Sequence, residues 1–289
     1  MGTGQSVILL TGASGFLGTY VRDYYSQKQT RLICLSRTIP DSPDEHLWVQ
    51  ADIRHNLPHT LIGQVDSIVH LAAAINDSPS HLFQVNVLGT KTLIDFAEKT
   101  QAKKFIFLST DDIYYTSSPY SQSKKDAEKI VTSSTIPWEI VRCPTIFGHN
   151  DSRNFAQLSR FIKKSPVIPL PFKGLFTWNP IFAGDVAQHI FELAQSEPQY
   201  SLTVPVGPEE LTFRDIVHQL IRHHRSRTTV VPIPILISQL AFFLLSIFDF
   251  KSVGNKLSDT FKDKICTDPS VRVVPYTTKF SEVFFRTDE

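Results

Sequence analysis

The chain has 289 residues, of which 42% are hydrophobic and 20% are charged, and its formal net charge at pH 7 is +1. This length suits one large α/β domain or two closely packed ones. The charge balance excludes the strong positive field by which proteins attract DNA, RNA or an anionic membrane. We therefore expect a globular protein with no nucleic-acid partner.

Three cysteines, Cys34, Cys143 and Cys266, lie far apart in the sequence, and a proline separates the two histidines with helical ligand spacing, His55 and His59. Such a pattern is typical of free thiols in a reducing compartment and not of a disulfide framework or a zinc site. No basic leader precedes the first apolar run. We expect a cytoplasmic protein without a signal peptide, a membrane span or a metal site.

The first predicted strand, residues 7–11, opens into a loop with three glycines, Gly12, Gly15 and Gly18. Glycines in such a turn let the backbone approach a pyrophosphate, and the helix that follows offers its free N–H groups to that anion. A glycine-rich loop between a strand and a helix is also ordinary turn chemistry. A second apolar run, residues 32–35, follows at the distance that a βαβ unit requires, which favours a dinucleotide-binding turn.

The residues after the second predicted strand indicate which dinucleotide binds. An acidic residue about twenty positions past the glycine loop would bind the ribose 2′-hydroxyl of NAD, but Leu35 is followed by Ser36 and Arg37. A hydroxyl and a guanidinium suit a 2′-phosphate better. We therefore predict NADP(H) over NAD(H).

Strands and helices alternate through the first half of the chain, which is the pattern of a doubly wound parallel sheet. We predict strands at residues 7–11, 31–35, 47–50, 67–71, 104–109 and 139–143, and helices at 81–99, 121–133 and 185–195. The predicted fold is α/β, a Rossmann-type sheet with a smaller C-terminal substrate lobe. Residues 1–145 form the NAD(P)-binding domain, to which 175–205 return, and residues 146–174 and 206–289 form the lobe.

A second group of polar residues, Ser109 to Asp112, ends the fifth predicted strand, and Tyr120 and Lys124 follow four residues apart on a predicted helix. An ammonium near a phenol favours the phenolate, which makes the tyrosine a usable general acid or base. Tyr24 and Lys28 have the same spacing in the first predicted helix, so the spacing also fits an ordinary surface pair. Tyr120 is the favoured candidate because it follows a strand whose carboxyl end faces the nucleotide edge of the sheet.

With TGASGFLG, STDD and YSQSK in that order, the chain resembles the extended short-chain dehydrogenase/reductase family of nucleotide-sugar epimerases, dehydratases and reductases. The resemblance implies that Tyr120 is the acid/base, that Lys124 holds the nicotinamide ribose, and that Thr110 hydrogen-bonds the substrate oxygen. Asp111 and Asp112 resemble the acidic pair with which the family's dehydratases eliminate water. Reductases also carry an aspartate there, and an aspartate pair is common in turns as well.

The same resemblance implies the cofactor contacts. Residues after the predicted strands would line the dinucleotide, a helix asparagine would brace the site, and a proline would lie near the nicotinamide. The cofactor-binding residues are Gly12, Ser14, Gly15, Phe16, Leu17, Gly18, Ser36, Arg37, Asp52, Ile53, Leu71, Ala72, Ala73, Asn86, Tyr120, Lys124 and Pro144.

The chain also departs from the family's pattern. The stretch between Thr110 and Tyr120 is short, Trp178 stands where epimerases place an arginine that clamps the pyrophosphate, and Thr145 stands where they have an asparagine. Arg153 or Arg160 would have to replace the clamp. The segments PTIFGHNDSRN, PVIPLP and NPIFAGDVA also resemble an atypical branch that includes the nucleotide-binding accessory subunit of respiratory complex I.

The most apolar stretch, residues 235–248, is too short to span a bilayer and is interrupted by serine and glutamine. We predict a helix packed on its own protein or on a second copy in a homodimer. A membrane-surface contact or a lid over an apolar substrate is the alternative.

Together these patterns predict an NAD(P)-dependent enzyme, an epimerase, dehydratase or reductase, that acts on a sugar-like and possibly nucleotide-linked small molecule. Catalysis would use Tyr120, Lys124, Thr110, Asp111 and Asp112, with Thr145 and Arg153 at the substrate. The alternative is a non-catalytic NADP(H)-binding scaffold or assembly protein of the atypical branch.

Overall fold

Eight parallel strands form the central sheet of the protein, for which a computed structural model describes residues 6–55, 57–61, 65–151, 154–240, 262–266 and 268–285. The strands of the described chain are β1 (Ile8–Thr11), β2 (Leu32–Ser36), β3 (Leu47–Gln50), β4 (Ser67–His70), β5 (Lys104–Thr110), β6 (Trp138–Cys143), β7 (Ile146–Phe147), β8 (Val167–Leu170), β9 (Thr177–Trp178), β10 (Ile181–Phe182), β11 (Ser201–Val206), β12 (Leu211–Thr212), β13 (Thr229–Pro232) and β14 (Arg272–Pro275). In the large sheet they run in the order β14-β11-β6-β5-β4-β1-β2-β3.

Helices pack on both faces of this sheet and in the C-terminal part of the chain. They are α1 (Phe16–Gln27), α2 (Pro79–Leu82), α3 (Gly89–Thr100), α4 (Asp112–Tyr115), α5 (Pro119–Thr132), α6 (Asn154–Lys164), α7 (Ala183–Gln195), α8 (Phe213–His223) and α9 (Phe280–Phe285). The order of the sheet reverses at β1, which pairs with β2 on one side and β4 on the other. Ligands of such sheets bind at this switch point, outside the carboxyl ends of the strands. The predicted doubly wound α/β fold is confirmed.

Two apolar layers hold the helices on the sheet. Because the strands are buried on both faces, their sequences are continuous apolar runs. Helices α3 and α5 pack on one face through residues such as Leu93 and Ala127. Helices α1 and α7 pack on the other face through residues such as Val21 and Val186. The sheet thus fixes the start of α1 and the start of α5 at one edge.

The predicted helix at 81–99 is divided in the structure. Helix α2 passes into a π-helix at Phe83–Leu88, and α3 follows it. A π turn accommodates an extra residue, and such turns are frequent at functional sites. In this one the Asn86 side chain is buried and faces the loop after β4, where it bonds to Ala74.

The C-terminal part of the chain builds a smaller layer with its own core. Three two-stranded sheets, β10-β7, β12-β9 and β13-β8, surround aromatic residues such as Phe147, Phe155 and Phe280. The division of the chain at residue 206 stays a prediction, although β14, from the predicted lobe, pairs with β11 in the large sheet.

The apolar stretch 235–248 is described only in part. Residues 235–240 are helical, and residues 241–248 lie outside the described residues. Within the helical part Ser238 is buried, whereas Leu236 is 79% exposed and Ile237 is 58% exposed. The packing predicted for the whole stretch therefore stays a prediction, and its described turn directs a polar residue inward.

Candidate active site

The glycine loop between β1 and α1 has the close backbone contacts that a pyrophosphate site needs. Gly12 has φ +71°, and a Cβ there would lie 2.7 Å from the backbone nitrogen of Ala72. A Cβ on Gly18 would lie 2.2 Å from the Gly12 carbonyl oxygen. Helix α1 begins after Gly15 with no side-chain cap and no acidic residue in its first turn, so its N–H groups and dipole are open to an anion. These residues fit the pyrophosphate of NAD(P).

A hydrogen-bonded chain beneath this loop fixes its position. The Thr90 hydroxyl donates to the Asn86 carbonyl (2.6 Å) and so accepts from His70 Nε2 (3.1 Å). His70 Nδ1 then accepts from the Thr11 hydroxyl (2.7 Å), whose oxygen in turn accepts from the Ala72 N–H (3.3 Å). Burial, with a smaller contribution from the Lys124 charge, holds the pKa of His70 well below its usual value. The neutral imidazole therefore links α3 to the strands that carry the loop.

The predicted ribose contacts lie together at the ends of β1 and β2. The Ser14 and Ser36 hydroxyls are 3.0 Å apart. Arg37 follows them with an exposed side chain, and the Gln50 amide donates to its carbonyl (3.0 Å). The two hydroxyls thus lie side by side, and the exposed arginine follows directly in the sequence.

Asp52, one of the predicted cofactor contacts, has a partner that the sequence did not predict. Arg54 Nε and Nη2 both donate to its carboxylate, the shorter bond being 2.6 Å from Nη2. These bonds lower the pKa of Asp52 to about 2. The next residue, Ile53, is buried. Its side chain packs so close to Gly89 that a Cβ on this glycine would collide with it. In the sequence, the only indication of this ion pair is an acidic residue, Asp52, two positions before a basic one, Arg54.

The predicted aspartates have different environments at the end of β5. The Asp112 backbone N–H donates to Thr110 Oγ1 (3.2 Å), which places α4 next to that hydroxyl. Asp111 is 3% exposed, and its N–H donates to the Cys143 carbonyl (3.0 Å). Burial, and next the charge of Asp112, raises the pKa of the Asp111 carboxyl well above its usual value, while Lys264 opposes this shift. The Asp111 carboxyl is therefore more readily protonated than an exposed aspartate.

Helix α5 carries Tyr120 and Lys124 in its first two turns. Ser118 caps this helix by accepting from the Ser121 N–H (3.1 Å). Lys124 is 3% exposed, and its Nζ lies 4.0 Å from the centroid of the Phe107 ring. Burial lowers the pKa of Lys124 to about 7. The buried amine of Lys124 therefore loses its charge more readily than an exposed lysine. Tyr120, one turn earlier on the helix, is half-buried.

Asn86 connects this helix to the cofactor loop. Its Oδ1 accepts from the Ala74 N–H (2.8 Å), and its Nδ2 donates to the Ala74 carbonyl (2.9 Å) and to Ser123 Oγ (2.9 Å). Ser123 Oγ donates in turn to the Tyr120 carbonyl (2.7 Å). The asparagine that the sequence singles out therefore holds the backbone of Tyr120 in register with the loop after β4.

The remaining predicted residues lie at the border with the smaller layer. Pro144 is buried directly after β6, and the Thr145 carbonyl accepts from the Ile181 N–H (3.0 Å). Arg153 lies outside the described residues. Arg160 is an exposed residue of α6. The predicted replacement of the pyrophosphate clamp by one of these arginines therefore stays a prediction.

A lysine that the sequence analysis did not select lies at the site. Lys264 Nζ forms an ion pair with Asp112 Oδ1 (2.6 Å) and lies 5.7 Å from the centroid of the Trp178 ring. Its side chain is 13% exposed. The described residues thus bring a cation to Asp112 from a segment that the sequence places 152 residues away.

Residues 8–203 match the family described as "NAD dependent epimerase/dehydratase family". The chain belongs to this family. The match includes the glycine loop, the aspartate pair and Tyr120, and it confirms the predicted resemblance to the extended short-chain dehydrogenases/reductases, a class of NAD(P)-dependent enzymes.

Relatives in the family include two curated proteins. The chain is 30% identical over 201 residues to a UDP-glucose 4-epimerase of Vibrio cholerae, covering 60% of each chain. It is 26% identical over 180 residues to a dTDP-glucose 4,6-dehydratase of Streptomyces antibioticus, covering 49% of this chain and 53% of the relative. The alignments thus span no more than 60% of the length of these relatives.

Solved structures share the fold. A dTDP-glucose 4,6-dehydratase of Bacillus anthracis in complex with NAD superposes with a TM-score of 0.69 at 21% identity, covering 79% of this chain and 84% of the other. A UDP-glucose 4-epimerase of Thermus thermophilus in complex with NAD gives 0.68 at 19% identity, with 79% and 86% covered. Among the described residues no helix is long and apolar enough to cross a bilayer.

Proposed function

We propose that this protein is an NAD(P)-dependent enzyme that dehydrates a nucleotide-linked sugar, with Tyr120 as the acid/base. The observation that carries the proposal is the placement of Thr110, Asp111 and Asp112 at the end of β5, beside the helix that bears Tyr120. The epimerase and dehydratase relatives act, by their names, on UDP- and dTDP-linked glucose.

The first part of the proposed reaction oxidises the sugar. Tyr120 takes the proton of a sugar hydroxyl, and Thr110 donates or accepts a hydrogen bond at the same oxygen. Bound NAD(P)⁺ supplies the hydride acceptor at that carbon. Lys124 lies in the next turn of the helix, where its amine can hold the ribose and carry a positive charge at or below about pH 7.

The aspartate pair favours dehydration over simple epimerisation. Elimination of water needs a base that removes a proton from carbon and an acid that protonates the leaving hydroxyl. Asp112, ion-paired with Lys264, is suited to be the base, and Asp111, whose carboxyl pKa is raised by burial, is suited to be the acid. Elimination releases the hydroxyl as water with the proton of Asp111 and leaves the carbon-bound proton on Asp112. Net loss of one water then requires that the hydride removed in the first part returns to the carbon that lost the hydroxyl, that Asp112 returns its proton to the neighbouring carbon, and that the proton taken by Tyr120 replaces the one given by Asp111.

The test incubates the protein with NAD⁺ or NADP⁺ and either dTDP-glucose or UDP-glucose, and analyses the products by mass spectrometry and NMR. Loss of one water from the sugar supports dehydration, whereas a new sugar of unchanged mass would show epimerisation and contradict the assigned roles of the aspartates. If the dinucleotide binds and neither sugar changes, the proposed activity is wrong and the scaffold alternative gains support.

A further inference from the structure

The segment 262–266 crosses from the smaller layer to the candidate active site. The Lys264 N–H donates to the Thr177 carbonyl (2.8 Å), and the Asp263 carboxylate accepts from the Thr177 N–H (2.6 Å). The Trp178 indole donates to the Lys262 carbonyl (3.2 Å). Three hydrogen bonds between this segment and β9 therefore fix its position. They hold the backbone of Lys264 in place although the segment is neither a helix nor a long strand.

The Lys264 side chain extends from this segment to α4. Its Nζ contacts Asp112 Oδ1 at 2.6 Å, and the side chains of the two residues are 13% and 29% exposed. An ion pair that is mostly shielded from water is weakened less by solvent than a surface pair. The backbone N–H of the same aspartate donates to the Thr110 hydroxyl. Asp112 is thus bonded to Lys264 through its carboxylate and to Thr110 through its backbone.

We propose that Lys264 is a positioning residue of the active site: it fixes the Asp112 carboxylate beside Thr110, and the resulting ion pair sets the charge environment in which the buried Asp111 works. This inference rests on the proposed function for its catalytic meaning. The ion pair itself is independent of that function. The proposal gives a role in the reaction to the segment 262–266. This segment lies beyond residues 8–203, which match the family.

The groups that face Asp111 come from three parts of the fold. Asp112 and Tyr115 lie on α4, Cys143 ends β6, and Lys264 comes from the segment 262–266. Tyr115 has a buried hydroxyl with no hydrogen-bond partner among the described residues. Among the charged neighbours, Asp112 raises the pKa of Asp111 and Lys264 lowers it, although burial is the largest cause of the upward shift.

The two charges predict shifts of opposite sign. Lys264→Met removes a cation, so the pKa of Asp111 rises further and the pH limb that it controls moves to higher pH. Asp112→Asn removes an anion, so the pKa of Asp111 falls; because this variant also lacks the proposed base, the shift is read on the Asp111 carboxyl itself. The double variant removes both charges, so its Asp111 carboxyl titrates near that of the wild type, and the two shifts are not independent.

The experiment measures kcat/KM against pH for the wild type and the Lys264 variants, and follows the Asp111 carboxyl of every variant by NMR of protein with ¹³C-labelled aspartate. Lys264→Met is expected to lower kcat by roughly 10- to 100-fold, because a misplaced carboxylate loses its alignment with the substrate. Lys264→Arg keeps the cation and is expected to recover most of the activity. Lys262→Met, on the same segment with an exposed side chain, is the matched control.

The proposal is overturned if Lys264→Met and Lys262→Met give the same kcat and the same Asp111 titration. It is also overturned if Lys264→Met and Asp112→Asn shift that titration in the same direction. A wild-type protein that turns over no nucleotide sugar contradicts the proposed function alone, because the carboxyl titration needs no substrate. If Lys264→Met is poorly folded, Lys264→Arg and Asp112→Asn still give the sign of the shift.

Discussion

The His189 imidazole joins α7 to the segment after β14 through a 3.0 Å hydrogen bond between its Nδ1 and the Tyr276 hydroxyl. Tyr276 donates to Glu192 (3.3 Å), so its oxygen accepts from His189 Nδ1, and His189 Nε2 accepts from the Thr203 hydroxyl (2.9 Å). The ring is thus neutral and 4% exposed. It ties the last strands of the large sheet to a helix on its face.

This contact predicts a loss of stability in mild acid. Burial lowers the pKa of His189 to about 4 from an ordinary 6.5. The unfolded chain therefore binds more protons than the folded one between these values, and the free energy of unfolding falls as the pH drops from about 6.5 to 4. The full loss is about 3 kcal/mol.

Urea unfolding at several pH values measures this fall in the free energy of unfolding. His189→Gln should reduce this slope by the contribution of one buried histidine, while His70, which is also buried and neutral, keeps its own contribution. His218→Gln, at an exposed position of α8, should leave the slope unchanged. Equal slopes in wild type and His189→Gln would show that another group is responsible.

A second prediction concerns the acid/base. Tyr120→Phe removes only the phenol oxygen, so the protein should still fold and bind its dinucleotide, while turnover falls by roughly 100- to 10,000-fold. The control is Tyr24→Phe. Tyr24 has a lysine at the same spacing, Lys28, whose Nζ lies 5.3 Å from the centroid of its ring, but it packs on Phe191 of α7. Similar turnover in the two variants would contradict the role of Tyr120.

A third prediction concerns the choice of dinucleotide. If Arg37 binds a 2′-phosphate, Arg37→Ala should weaken NADP(H) binding by roughly 10- to 100-fold, the effect of losing a charge-assisted hydrogen bond, and leave NAD(H) binding nearly unchanged. Calorimetric titration of both dinucleotides measures this. Arg31→Ala is a suitable control, because Arg31 is also exposed and lies before β2, where it donates to the Glu45 carbonyl. Tighter binding of NAD(H) than of NADP(H) by the wild type would reject the preference.

A fourth prediction follows from the bonds of Asn86. Asn86→Leu leaves the buried backbone groups of Ala74 without these partners and releases Ser123, so we expect a loss of about 2 to 4 kcal/mol in the free energy of unfolding. Dinucleotide affinity should fall as well, because the loop after β4 touches the glycine turn. Gln84→Leu, on the same π-helix but exposed, should change neither quantity. If both variants unfold at the same urea concentration, Asn86 does not brace the site.

Much of the fold follows from local sequence, because the strands of a parallel sheet are apolar runs and the glycine turn has a local steric cause. The predicted strand at 47–50 agrees with β3, and that at 67–71 differs from β4 by one residue. The π turn at Asn86 is not predictable in this way, since the bonds of Asn86 to Ala74 and Ser123 join residues that are distant in the sequence. No local sequence pattern predicts the role of Lys264, because the pairing of residues 262–264 with β9 is what brings it near its partner Asp112.

The described turn at 235–240 leads to a last prediction, which reverses what hydrophobicity alone suggests. Ser238 Oγ accepts from the Phe172 N–H (2.9 Å) and donates to the Pro234 carbonyl (3.1 Å), and it is 3% exposed. Ser238→Ala removes both bonds and should lower the free energy of unfolding by about 1 to 2 kcal/mol. Leu236→Asp replaces a side chain that is 79% exposed and should change it by less than about 0.5 kcal/mol. Urea denaturation of the two variants compares them directly, and a larger loss for Leu236→Asp would mean that this leucine is covered by another part of the chain or by a second copy.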